Sequence, residues 1–223
     1  MKRNFLRSIL LLVAVVVLPA CAGPPFYSAK DIHGQIVDDD TGLPLEGVII
    51  VAQWELRQSV LGYSGHKGMM VEIIEAVTDA SGNYSIPSWG PRPRLPFNYL
   101  DNRDPKLSIF KSGYFPQELS NRLQSEEDAN HSLRTSEWDG KVIRLKKFGG
   151  GSLEDYASQL RILISDGLAG DGRKLRSYPR MVLALDAEQR RLDALGLKPG
   201  YIFSAITIDL LNEGDQKFLR KYK

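Results

Sequence analysis

The chain has 223 residues, of which 29 are basic and 27 acidic, with 43% hydrophobic residues and one cysteine. This near-neutral balance does not favour binding to nucleic acid, which normally calls for a marked cationic excess. A single thiol excludes any disulfide within the chain, so the fold must hold together by its own core.

The first twenty residues divide as a secretory signal does, with Lys2, Arg3 and Arg7 ahead of an uncharged apolar run from Ile9 to Leu18. That run is of signal-core length and too short to span a bilayer, which needs about 20 apolar residues. The segment Leu18-Pro19-Ala20-Cys21 resembles the lipobox of bacterial lipoproteins, although Pro19 departs from the small or branched residue usual at its place. The resemblance implies a diacylglyceryl thioether on Cys21 and cleavage just before it. An ordinary cleaved signal, or a buried free thiol, is the alternative. Each buried lipid methylene contributes about 0.8 kcal/mol, and two chains hold a protein stably on a membrane. Ala22 rather than Asp follows the cysteine, and by resemblance to Gram-negative sorting this implies the outer membrane, facing the periplasm. Losing the three basic residues of the signal leaves 26 against 27, a mature net charge of −1. Residues 21–29, with Gly23-Pro24-Pro25, read as the lipidated cysteine and a short spacer.

From Lys30 to Phe148 short apolar runs alternate with turn residues. Ile32 and Ile36 flank a polar alternation that Asp38-Asp39-Asp40-Thr41-Gly42 reverses. Val48, Ile50, Ala52, Trp54 and Leu56 fall on one face of the next strand, with Gln53 and Glu55 on the other. Val71, Ile73 and Val77 repeat the arrangement less cleanly, and Ala80-Ser81-Gly82-Asn83 turns the chain before Tyr84 and Ile86. Further strands are expected at Leu107 to Phe110 and at Val142 to Leu145. The pattern predicts a mainly β protein, an Ig-like antiparallel sandwich with one face of each sheet buried, followed by C-terminal helices.

Three stretches carry a family resemblance: His33-Gly34-Gln35-Ile36-Val37, Thr41-Gly42-Leu43-Pro44-Leu45-Glu46-Gly47-Val48, and Val77-Thr78-Asp79-Ala80-Ser81-Gly82-Asn83-Tyr84-Ser85-Ile86-Pro87. Together they resemble the carboxypeptidase regulatory-like domain, a transthyretin-like β-sandwich that serves as an accessory module in secreted and periplasmic proteins. The likeness covers roughly Asp31 to Lys147 and implies a fold more than an activity. Independently of the family, Gly42 and Gly82 suit turns that need positive φ, and Asp79 can accept hydrogen bonds from turn backbone. The zinc-carboxypeptidase catalytic domain is absent. The hydroxyisourate hydrolases, related by fold, end in Tyr-Arg-Gly-Ser, whereas this chain ends Phe218-Leu219-Arg220-Lys221-Tyr222-Lys223.

Two insertions interrupt the sandwich pattern. Arg57 to Met70 reads as an exposed loop, and Pro91-Arg92-Pro93-Arg94-Leu95-Pro96 as an extended path without regular hydrogen bonding. The polar stretch Gln117 to Trp138 is expected to cross one end of the sandwich. Residues 149–223 form the helical region. Ser152 is a candidate N-cap, and Leu153, Tyr156, Leu160, Leu163, Ile164 and Leu168 make an apolar stripe. A second helix is expected from Pro179 to Leu195, with Met181, Leu185, Leu192 and Leu195 inward and Glu188 interrupting the row. Pro199 to Tyr222 reads as a less periodic third helix, weakened by Gly214. About 70 residues without a disulfide are marginal alone, so these helices should pack together or on the sandwich.

The three histidines, His33, His66 and His131, show no metal-ligand spacing, and neither a metal nor a cofactor is expected. Asp38-Asp39-Asp40 could gather calcium but reads better as a solvated turn. Gly149 to Ser152 lacks the ending of a phosphate loop and reads as a joint. Trp89 and Tyr114 belong to the core, whereas Tyr63, Tyr99, Arg92 and Arg94 are the candidate binding residues, offering aromatic faces and cations on loops. The resulting expectation is a non-enzymatic cell-envelope lipoprotein, anchored through Cys21, whose sandwich binds or assembles with an envelope protein or glycan. The alternatives are a small periplasmic hydrolase using His33 or His66, and a glycan-binding module using Tyr63, Tyr99 and the proline loop.

Overall fold

The computed structural model describes residues 26–58, 69–94, 98–101, 103–122, 133–168, 172–197 and 212–222. The signal, Cys21, Tyr63, His66 and His131 lie outside the described residues. The first strand among the described residues is β1 (Phe26–Ala29), inside the stretch read as spacer, followed by β2 (Ile32–Asp38), β3 (Ile49–Gln58), β4 (Met69–Val77), β5 (Asn83–Ile86) and β6 (Trp89–Pro93). Then follow β7 (Asn98–Leu100), β8 (Lys106–Phe110), β9 (Gln117–Leu119), β10 (Leu133–Arg134) and β11 (Lys141–Leu145). The α-helices among the described residues are α1 (Leu153–Ile162), α2 (Pro179–Ala194) and α3 (Glu213–Leu219).

The protein is a β-sandwich with a helical cover. One layer is a five-stranded sheet in the order β4-β3-β8-β9, with β7 also pairing β3. The other comprises two three-stranded sheets, β10-β1-β6 and β11-β2-β5. Only Lys30 and Asp31 separate β1 from β2, and only Pro87 and Ser88 separate β5 from β6, so both sheets are built on one long antiparallel pair bent in the middle. Pairing is antiparallel except where β10 joins β1 and β11 joins β2, both parallel.

Strict alternation in β3 explains the layering. Val48, Ile50, Ala52, Trp54 and Leu56 are buried in the sandwich core with Ile36, Ile86, Leu107, Ile109 and Leu145. Ile49 and Val51 point the other way and join Phe110 in a second core with Tyr156, Leu160, Leu163, Met181, Leu185 and Leu192. The five-stranded sheet is therefore covered on both faces, and the helices fold by using it as a floor. A buried aliphatic side chain contributes roughly 1.5–3 kcal/mol, so these sheet residues supply what a free-standing helical region would lack.

Several local expectations are corrected. Val71 does not share a face with Ile73 and Val77: a register shift at Trp54/Glu55 leaves Val71 on the sandwich core and Ile73 on the helical core, with Val77 on the same side as Ile73 but exposed near the end of the strand. A bulge inserts one residue and so reverses the alternation beyond it. The segment starting at Pro91 is not an unpaired path but the end of β6, whose register sets Pro93 opposite Phe26 and Arg92 opposite Tyr27. It lies at a sheet edge, where a residue without an N–H is tolerated. The stretch 117–138 contributes β9 and β10. Leu195 is exposed, because α2 ends at Ala194 and Gly196 turns away with φ 95°. Glu188 does not interrupt the inward row but belongs to it, at 1% exposure.

The turns follow their residue chemistry. The Asp38 carboxylate accepts from the Asp40 and Thr41 amides, the Thr41 hydroxyl and the Tyr114 hydroxyl. Asp79 accepts from the Ser81 and Asn83 amides. Gly82 has φ 74°, and a Cβ there would meet the Ile36 carbonyl oxygen at 2.5 Å. Ser152 caps α1 by accepting from the Asp155 amide. The start of α2 has Pro179 at its first position and no side-chain cap of its own; Glu75 of β4 supplies one, accepting from the Arg180 and Met181 amides at 3.2 and 2.8 Å.

Candidate functional site

Chain direction gives the sandwich two distinct ends. The turns at 38–42 and 79–82 lie at one, since β2 runs into the first and β5 out of the second. At the other end lie the start of β1, the end of β6, the end of β3 and β7, with Gln58 opposite Asn98 and Phe26 opposite Pro93.

Three of the expected binding residues gather at this second end. Arg92 forms an ion pair with Glu72 of β4. The Arg94 guanidinium lies over the Tyr27 ring, 5.8 Å from its centroid, and the Tyr27 hydroxyl donates to the Asn98 carbonyl. Tyr99 follows directly, opposite Arg57 of β3. Arg92, Arg94 and Tyr99 thus share one rim, whereas Tyr63 lies outside the described residues.

Beside the rim is a small polar cleft of about 120 Å³, lined by Glu55, Arg57, Asp101, Arg103, Asp104, Lys106, Glu118 and Ser120. Asp101 is held by an ion pair with Arg57 and accepts from the Arg103 amide at 2.9 Å. Lys106 pairs with Glu118 at 3.4 Å. Asp104 is buried and accepts from the Glu55 amide at 2.6 Å, while its own carbonyl accepts from the Asn121 side chain. Burial pushes the Asp104 carboxyl well above the usual range; the Glu55 amide opposes that shift, and the nearby Asp101 charge adds to it. Arg134, 2% exposed, donates to the Leu100 carbonyl and fixes the chain entering the cleft.

Such a pair of acids, one ion-paired and one pushed toward its neutral form, is the type of arrangement that could serve acid–base chemistry. Here their contacts are chiefly with backbone amides and neighbouring cations, which tie the β7–β8 corner to β3. Spacing in the sequence does not mark this cleft, because Asp101-Asn102-Arg103-Asp104-Pro105 reads as an ordinary turn. The only hint is its density of charge before an apolar run.

Elsewhere the expected residues are dispersed. His33 lies on the outside of the β11-β2-β5 sheet rather than between the sheets, its side chain 58% exposed and its Nδ1 3.5 Å from Asp31. Around it is an open depression with Gln35, Asn83, Ser85 and Val142. Trp89 is buried edge-on against Trp54, and Tyr114 is half-buried with its hydroxyl on Asp38. Among the described residues no three His, Cys, Asp or Glu side chains converge to hold a metal ion, and no helix is long and apolar enough to cross a membrane.

Fold and cleft together define a β-sandwich with a helical cover and a charged loop end. No family model and no curated protein matches the chain. Among solved structures it is similar to chlorocatechol 1,2-dioxygenase from Pseudomonas putida, at 13% identity over 55% of this chain and 60% of that one, with a TM-score of 0.28. Similar values relate it to 3-chlorocatechol 1,2-dioxygenase from Rhodococcus opacus 1CP: 16% identity, 56% and 61% coverage, TM-score 0.27. A type II cohesin–X-dockerin complex from Acetivibrio cellulolyticus follows at 13% identity, 59% and 71% coverage, and TM-score 0.24. The chain spans about three fifths of the length of the dioxygenases, and likeness at this level carries no argument about activity.

Proposed function

We propose that the protein is a non-enzymatic cell-envelope lipoprotein, anchored through a lipidated Cys21, whose carboxypeptidase regulatory-like sandwich serves as a binding or assembly module at the outer membrane, facing the periplasm. The observation that carries this reading is the cleft at the loop end. Its charged groups are committed to neighbours, with Arg57 on Asp101, Lys106 on Glu118 and Asp104 on the Glu55 amide, which is the pattern of a stiffened scaffold. The lipobox-like Leu18-Pro19-Ala20-Cys21 supports the anchor. A covered second face on the central sheet supports a rigid body able to present one surface to a partner.

A photoreactive residue at Tyr99, and separately at Val142 on the open sheet face, tests this in cells carrying the full chain. A specific envelope protein or glycan captured from one position supports the module. Substrate turnover by the purified protein that disappears in Asp104→Asn would overturn it, since that carboxyl is here given a structural part only.

A further inference from the structure

We propose that the end of the sandwich bearing Phe26, Met69, Arg92, Arg94 and Tyr99 rests on a bilayer surface rich in anionic phospholipid headgroups. The inference rests on the lipidated-Cys21 reading and goes beyond it, because it states which face meets the membrane and by what chemistry.

The tether is short. Four residues separate Cys21 from Phe26, where β1 begins. Five extended steps reach at most about 18 Å. From Phe26 to Asp38 the chain runs in one direction through β1 and β2, a path of up to about 40 Å. The lipid therefore holds the Phe26 end close to the interface, and the turn at 38–42 is the far end.

Phe26 is 49% exposed, Met69 50% and Tyr99 37%, three large side chains with apolar area at the same end of the body. Aromatic side chains at headgroup depth bury their rings while polar atoms stay wet.

At this end two arginines stand outside their acids: the Arg92 side chain is 51% exposed over Glu72 at 21%, and Arg57 31% over Asp101 at 11%, while Lys106 and Glu118 of the cleft are about equally exposed, at 29% and 33%. What projects is guanidinium, the group suited to phosphate oxygens. The far end is mixed, with exposed Asp39, Asp40, Glu46 and Asp79 beside Lys146 and Lys147. An anionic surface thus meets chiefly guanidinium edges at the tethered end and a mixture of both signs at the other.

The test uses the native lipidated protein in vesicles of phosphatidylethanolamine with one quarter phosphatidylglycerol. Because the lipid occupies the only thiol, a spin label on Pro93→Cys or on Ser81→Cys sits at a unique site. The measurement is the ratio of collisions with lipid-dissolved oxygen to collisions with an aqueous nickel chelate. The expected result is a severalfold higher ratio at 93 than at 81, reduced by the pair Arg92→Gln and Arg94→Gln and by replacing the anionic lipid with phosphatidylcholine. Equal ratios at the two labels on a protein whose mass confirms the lipid would overturn the orientation alone. An excess at 93 that persists unchanged in phosphatidylcholine would overturn the headgroup chemistry. A mass showing unmodified Cys21 would overturn the anchor and the orientation together.

Discussion

The Tyr156 hydroxyl donates to the Glu188 carboxylate at 2.8 Å, joining α1 to α2 in the core beneath the five-stranded sheet. The same carboxylate accepts from the Ser112 hydroxyl at 2.5 Å and from two Arg191 nitrogens at 2.6 and 3.0 Å. Tyr156 in turn stacks on Phe148, centroids 4.6 Å apart, and meets Phe115 edge-on. One acid thus ties two helices to the turn after β8. Burial by itself would raise the Glu188 pKa, but the hydrogen bonds from Arg191, Ser112 and Tyr156 outweigh it and hold the group below its ordinary 4.5.

Glu188→Ala is expected to destabilise the protein by about 3 kcal/mol, because Tyr156 and Ser112 lose their acceptor and Arg191 its counter-charge. Ser112→Ala should cost about 1 kcal/mol. Urea unfolding of both variants measures the difference. Because the folded pKa of Glu188 is depressed, its contribution is present above pH 4.5 and is lost as pH falls through the folded value.

Asp104 has the opposite sign. Its folded pKa is raised, so its contribution is fully present below the ordinary 3.8 and is lost as pH rises through the folded value. Asp104→Asn, which keeps an acceptor for the Glu55 amide without the charge, should raise Tm at pH 8 and leave it nearly unchanged at pH 4. Thermal unfolding at the two pH values checks this; a lower Tm at pH 8 would show that the charged form is what the cleft needs.

Glu75 is the cap that α2 lacks. Glu75→Ala should cost about 1–2 kcal/mol, the range for a lost helix cap, and Glu75→Gln less, since the amide oxygen still accepts. Hydrogen exchange should locate the effect at the Arg180 and Met181 amides, and an unchanged exchange rate there would refute the capping role.

Tyr84 covers Gly34 across the β2–β5 pair, so closely that a Cβ at 34 would lie 2.6 Å from the Tyr84 hydroxyl. That hydroxyl is buried without a hydrogen-bond partner among the described residues, and burial first, then the Asp139 charge, pushes its pKa up to about 12. Tyr84→Phe should therefore be neutral or stabilising by up to about 1 kcal/mol. Gly34→Ala should destabilise by about 1–3 kcal/mol through the displaced ring. Chemical denaturation of the two variants gives opposite or strongly unequal shifts.

Local chemistry was legible from the residues alone. Turns at Gly42 and Gly82, the Ser152 cap, the proline that opens α2 and the helical spacing of the apolar residues from Tyr156 to Leu168 each depend on neighbours within a few positions. So does the even-numbered face of β3. The cleft was not legible, because Arg57, Asp101 and Arg134 come from separate parts of the chain and nothing in their own surroundings marks them as partners. Glu188 escapes sequence reasoning for the same reason: at its helical position an acid looks like a break in the apolar row, and Ser112 and Tyr156, 76 and 32 residues away, must join the nearby Arg191 to make burial favourable.

Periodicity and turn residues by themselves determined a mainly β body followed by helices, since those signals report short-range backbone preference. The tertiary structure alone decided that the odd-numbered face of β3 is covered, that the proline segment ends in an edge strand, and that Arg92, Arg94 and Tyr99 share one rim. Those outcomes depend on which distant surfaces exclude water from one another, and burial is a property of the assembled layers that no single segment carries.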